Sequence, residues 1–99
     1  MATTVDRELV RYLLANGQGQ YAIELANLWA EISYWNSRSE RFVVGAYSRT
    51  WGTSEKRVKS LLNRLESLQG CTRKGPPNWP DYLAHPLPWN VETPPETPP

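Results

Sequence analysis

All nine prolines of this chain fall between Pro76 and Pro99. Proline locks φ and carries no amide hydrogen, so it is excluded from helix interiors and central strands. The fold is therefore expected in roughly residues 4 to 75, giving a domain over 1–75 and a proline-rich arm over 76–99. A chain of 99 residues holds one modest core and not two.

Within the proline-free part, apolar residues recur at helical spacing. Val5, Leu9, Tyr12 and Leu13 predict a first short helix over Val5–Ala15, with Thr4 or Asp6 at its start and Asn16-Gly17 as its stop. Tyr21, Leu25, Leu28, Trp29, Ile32 and Trp35 form one stripe and predict a second helix over Tyr21–Asn36. Ile23, Ala30 and Tyr34 make its other side apolar too, to be covered by the first helix or by a second copy of the chain in a homodimer.

Arg41-Phe42-Val43-Val44, closed by Gly45, has the β-branched and aromatic content of a short strand. Ala46 to Trp51 then reads as one or two helical turns, Gly52-Thr53 as a break, and Ser54 as an N-cap followed by Glu55, whose charge suits the helix dipole. The next helix carries Val58, Leu61, Leu62, Leu65 and Leu68 on one stripe and ends at Gly70. Trp29, Trp35 and Trp51 are expected in the core, Trp51 as a plug between the two helices.

Charge is distributed unevenly along the chain. Residues 1–40 carry a net −2, residues 41–75 hold eight basic side chains against two acidic ones for a net +6, and the tail returns −3. A local basic field attracts polyanions even when the whole molecule is nearly neutral. On the last helix Lys56, Ser60, Asn63 and Ser67 oppose the leucine stripe, flanked by Lys59 on one side and by Arg57 and Arg64 on the other. Lysine and arginine neutralise phosphates, while Asn63, Ser60 and the arginine forks offer directional bonds to base edges.

Short helix, tight turn and basic helix occur in the order of a helix-turn-helix unit. The stretch GAYSRTWGTSEKRVKSLLNRLESL resembles the winged helix-turn-helix segment common in phage and plasmid replication or regulatory proteins. The resemblance rests on Val43-Val44, the short helix ending in Trp51-Gly52, the Thr53-Ser54 cap, and Arg57-Val58 through Leu65-Glu66, and it spans about a quarter of the chain. It implies a mainly α, winged-helix-like domain that binds double-stranded DNA, with Tyr21–Asn36 as the first helix and Phe42–Val44 as the first strand. The segment after Gly70 becomes the wing, which places Arg73 and Lys74 near flanking phosphates. CTRKGPPNWPDYL offers little strand character, so a shortened, replaced or missing wing is expected.

The candidate DNA contacts are Arg49, Thr53, Ser54, Lys56, Arg57, Lys59, Ser60, Asn63, Arg64, Arg73 and Lys74. If this helix binds DNA, Lys56, Arg57, Lys59 and Arg64 should be exposed on one continuous surface with no acidic residue across it. In the arm, Trp79, Tyr82, Leu83, Leu87 and Trp89 are too many apolar groups for a solvated tail, so packing is expected to about Trp89 and disorder over the final VETPPETPP. Trp79 and Trp89, beside prolines, either pin the arm to its own domain or dock on a partner protein. That second possibility defines an alternative reading, a small protein-binding module that inhibits or recruits another protein.

One cysteine, Cys71, permits no intramolecular disulfide, and with the lone His85 no zinc site of the usual kind. A reducing cytoplasm suits that usage. There is no secretory signal and no membrane-length apolar run. No catalytic triad, paired carboxylates or phosphate-binding glycine loop stands out, which points away from an enzyme and calls for no cofactor.

Overall fold

The computed structural model describes residues 6–76, 78, 80–87 and 89. Val5, Trp79 and the VETPPETPP stretch, expected as a helix residue, an aromatic docking group and a disordered end, lie outside the described residues. The chain is mainly helical, with a small antiparallel sheet: α1 (Arg7–Ala15), α2 (Ala22–Ser37), α3 (Val44–Trp51), α4 (Glu55–Ser67), β1 (Cys71–Lys74) and β2 (Asp81–Ala84). A single 3₁₀ turn, Gly19–Tyr21, leads into α2.

Local chemistry sets the helix ends. Asp6 caps α1, its Oδ1 accepting from the amides of Glu8 at 2.9 Å and Leu9 at 3.1 Å, and Ser54 Oγ accepts from the Arg57 amide at 3.1 Å to cap α4. α1, α2 and α4 each close with an amide returning five residues: Gln18 to the Leu13 carbonyl, Glu40 to Trp35 and Gly70 to Leu65, each at 2.9 Å. The left-handed residue in these closures is Gly17, Ser39 and Gln69 respectively. Gly70, expected to stop α4, donates the closing amide and also makes room for a ring. A Cβ there would lie 2.8 Å from Leu65 Cδ1 and from two ring carbons of Trp89.

The predicted strand at 41–44 is not formed. Residues 41–43 form no strand, Val43 alone being extended as the residue before the helix, and Val44 is already the first residue of α3. Its apolar content is a hydrophobic staple: Phe42, just outside the helix, packs on Tyr47 in the second turn with ring centroids 5.5 Å apart. Phe42 is 2 % exposed, so this packing, rather than a third strand, buries it.

The segment that reads as poor strand is the one that pairs. β1 and β2 run antiparallel with Cys71 opposite Ala84 and Lys74 opposite Asp81. Contacts distant in sequence hold this hairpin. Asn36, near the end of α2, donates to the Tyr82 carbonyl at 3.1 Å and accepts from the Ala84 amide at 2.8 Å. Arg41 Nη2 donates to the Pro80 carbonyl at 2.8 Å, and Trp29 Nε1 donates to the His85 carbonyl at 2.9 Å. The His85 ring donates from Nδ1 to the Gln69 carbonyl at 2.6 Å, and its Nε2 is hydrogen-bonded with the Thr72 hydroxyl.

α2 is central: α1, α4 and β2 all pack on it. This packing accounts for part of its second apolar side: Ala30 is buried, while Ile23 stays exposed. Leu25, Leu28 and Ile32 of its stripe are fully buried, and Tyr21, Trp29 and Trp35 pack half-buried at the margin of the core. Tyr82 and Trp89, from the proline-rich segment, are buried in the same core as the helices. Trp89 wedges edge-on against Tyr12 and Trp29 at 5.7 and 6.3 Å. Among the described residues no helix is long and apolar enough to cross a membrane.

Candidate nucleic-acid interface

Once Val58, Leu61, Leu62 and Leu65 turn inward, the 100° step of the helix leaves three outer aspects of α4. Lys56, Ser60, Asn63 and Ser67 face outward, and all four are exposed. Lys59 leans toward the hairpin, Arg57 and Arg64 toward α2.

On the hairpin side an open groove of about 650 Å³ separates α4 from β1 and from the start of α3. Lys59, Asn63, Arg73 and Arg41 line it, with Glu55, Phe42 and Tyr82 also in its wall. Arg73 and Lys74 of β1 are exposed. Burial pushes the Tyr82 hydroxyl's pKa up, and a hydrogen bond with Arg73 is among the effects that pull it back. The Glu55 carboxylate lies against the first turn of α3, 3.2 Å from where a Gly45 Cβ would sit. Val43, the residue before that helix, makes no side-chain cap there. Arg49 is exposed in the last turn of α3, and its Nη1 lies 3.6 Å from the same point.

The α2 side is occupied. Arg57 forms a two-pronged pair with the Glu24 carboxylate, with Nε to Oε2 at 3.0 Å, and this contact raises its pKa. Arg64 lies over the Tyr21 ring at 4.1 Å and donates to Gln18 Oε1 at 3.0 Å. The expected unbroken surface of Lys56, Arg57, Lys59 and Arg64 is therefore not formed: Glu24 sits across Arg57, and the two arginines are on the far flank from Lys59.

Two further candidates serve the backbone. Ser54 uses its hydroxyl as the α4 cap, and Thr53 is half-buried, its carbonyl accepting from Ser48 Oγ at 2.7 Å. Trp51 is not the expected core plug. It is 43 % exposed and, with Ile23 at 66 %, edges an apolar cleft over Tyr47 and Leu61. The short α3 turns its Tyr47, not Trp51, into the core, where Asn27 Nδ2 donates to the hydroxyl at 2.8 Å.

Glu24, Gln18 and Tyr21 were not legible as partners of α4. Glu24 and Gln18 lie 33 and 46 residues away from the arginines they hold, and nothing local marks which of the two acids of α2, Glu24 or Glu31, meets an arginine of α4. Compared with protein-family models, with curated proteins and with solved structures, the chain finds no match.

Proposed function

We propose that this chain binds double-stranded DNA as a small winged-helix-like module, acting as a transcriptional regulator or a replication accessory factor. α4 is the recognition helix and the β1–β2 hairpin is the wing. The observation that carries this reading is the open flank of α4: Lys59 on the helix and Arg73 on the hairpin line one groove with Asn63, and Lys56 and Lys74 stand exposed on the same two elements. The cations neutralise phosphates and set the register, and Asn63 and Ser60 supply directional bonds to base edges.

The test is the affinity for a mixed-sequence duplex at about 50 and about 200 mM salt, compared with a Lys56→Ala/Lys59→Ala/Arg73→Ala variant. Binding that is salt-sensitive and lost in the variant is the expected result. A folded wild type with no affinity at the lower salt sinks the reading.

The exposed Ile23–Trp51 cleft favours a second reading, a protein contact, with a homodimer through α2 as its simplest form. Sedimentation of wild type and Ile23→Glu decides it, since a monomeric wild type excludes the dimer.

A further inference from the structure

The two arginines on the α2 side of α4 both lie over the Tyr21 ring, Arg64 at 4.1 Å and Arg57 at 5.9 Å, and differ in their polar partners. Arg64 is half-buried, stacked on Tyr21 and bonded to a neutral amide. Arg57 and Glu24 keep 47 % and 41 % of their side-chain surface in water. An ion pair that exposed gains little net energy, because water already solvates both charges and salt screens them. Such a pair is easily exchanged for another anion.

Arg57 is also the third residue of α4, in the turn whose free amides and dipole favour anions. A duplex carrying one charge per about 1.7 Å of axis brings phosphates close to that turn when the helix approaches it.

We propose that Glu24 sets the DNA affinity of this protein by competing with backbone phosphate for the Arg57 guanidinium. The inference rests on the reading of α4 as the DNA-contacting helix. In the free protein Glu24 holds Arg57 back against α2. On DNA the guanidinium must leave Glu24 to reach a phosphate, and the unpaired carboxylate then faces the polyanion. Both effects weaken binding, and both fall on every sequence alike, so Glu24 lowers non-specific affinity without altering which sequence is preferred.

Glu24→Gln keeps the shape of the side chain and removes its charge. It is expected to tighten binding to a mixed-sequence duplex by about two- to fivefold, the range an exposed ion pair accounts for. The plot of log K against log salt should steepen by up to about 0.9, because the phosphate contact that Glu24 withholds from part of the wild-type complexes is then made in all of them. Glu8→Gln, which removes the same charge from the exposed surface of α1, should change neither quantity as much. In an Arg57→Gln background Glu24→Gln should no longer steepen the slope. Equal effects of Glu24→Gln and Glu8→Gln, or a steepening that survives in the Arg57→Gln background, overturn the competition. If wild type binds and Glu24→Gln binds identically, only this inference fails. If both proteins are folded by circular dichroism and neither binds, the assignment of α4 fails and this inference with it.

Discussion

The two flanks of α4 begin from the same chemistry and end in different states. Each carries basic side chains on a helix whose other face is leucine. Toward the hairpin, Lys59 and Arg73 look into an open groove. Toward α2, Arg57 and Arg64 are taken up by Glu24, Gln18 and Tyr21. Cationic residues on one helix thus face an open groove on one flank and are held by a carboxylate, an amide and an aromatic ring on the other. The arginine side chain, long enough to reach across to α2 and planar enough to stack and fork, is the type most readily captured.

Several substitutions sharpen or break this contrast. The largest effect is expected where both flanks share a support. Gly70→Ala places a methyl group against Leu65 and the Trp89 indole, and overpacking of this kind costs about 1–3 kcal/mol. Urea unfolding followed by tryptophan fluorescence should show the loss, and an unchanged midpoint would mean that Trp89 has room to move. Next comes the open flank itself. Lys59→Ala combined with Arg73→Ala should weaken DNA binding roughly tenfold and reduce the salt slope by about 2, whereas Asn63→Ala should re-rank sequences and leave the slope alone. Matched losses for all three substitutions across random and selected sites would argue against any reading by Asn63.

The occupied flank should respond in stability instead. Arg64→Ala loses its stacking on Tyr21 and its bond to Gln18, and a cation–π contact near the surface contributes about 0.5–1 kcal/mol. It should lower the unfolding midpoint and spare DNA affinity; a variant that keeps its stability but loses DNA would place Arg64 on the wrong flank.

The smallest effect at neutral pH concerns the interior beneath the hairpin. Burial, with Glu66 nearby, pushes the Cys71 thiol up to about 12 from its ordinary 9.0. Because the folded state holds this proton more tightly than the unfolded chain, its contribution to stability is intact below pH 9 and is lost progressively as pH rises toward 12. Melting temperatures recorded from about pH 8 to about pH 11 should therefore fall less steeply in Cys71→Ala than in wild type. Parallel curves would assign the alkaline loss to Tyr12, Tyr47 and Tyr82, whose hydroxyls burial also shifts upward.

Much of the helical part of the fold is legible from residues close together in the chain. The leucine stripe of α4, the Ser54 cap, the Gly52 break and the Asn16-Gly17 stop are all decided within one or two turns. The errors share a cause. Phe42-Val43-Val44 has strand composition, but a staple and a strand both call for an apolar residue there, and only the presence of Tyr47 beneath Phe42 chooses between them. CTRKGPPNWPDYL lacks strand composition, yet it pairs because Asn36, Arg41 and Trp29 satisfy backbone carbonyls and an amide of the hairpin and its exit from outside the segment. For the candidate site, the basic character of α4 and of β1 was readable, and the division of that charge between an open and an occupied flank was not.

By itself, then, the sequence determined most helix ends, though not the start of α3, which face of α4 is buried, and that positive charge gathers in the middle third. These depend on caps, periodicity and composition, which are properties of neighbours along the chain. Only the tertiary structure decided that the hairpin forms, that Trp89 enters the core while Trp51 stays at the surface, and that Lys59 lines an open groove while Arg57 is bound to Glu24. Each of those outcomes turns on contacts between residues far apart in the chain or on the competition among several elements for the same side chain, and no local pattern encodes which partner arrives.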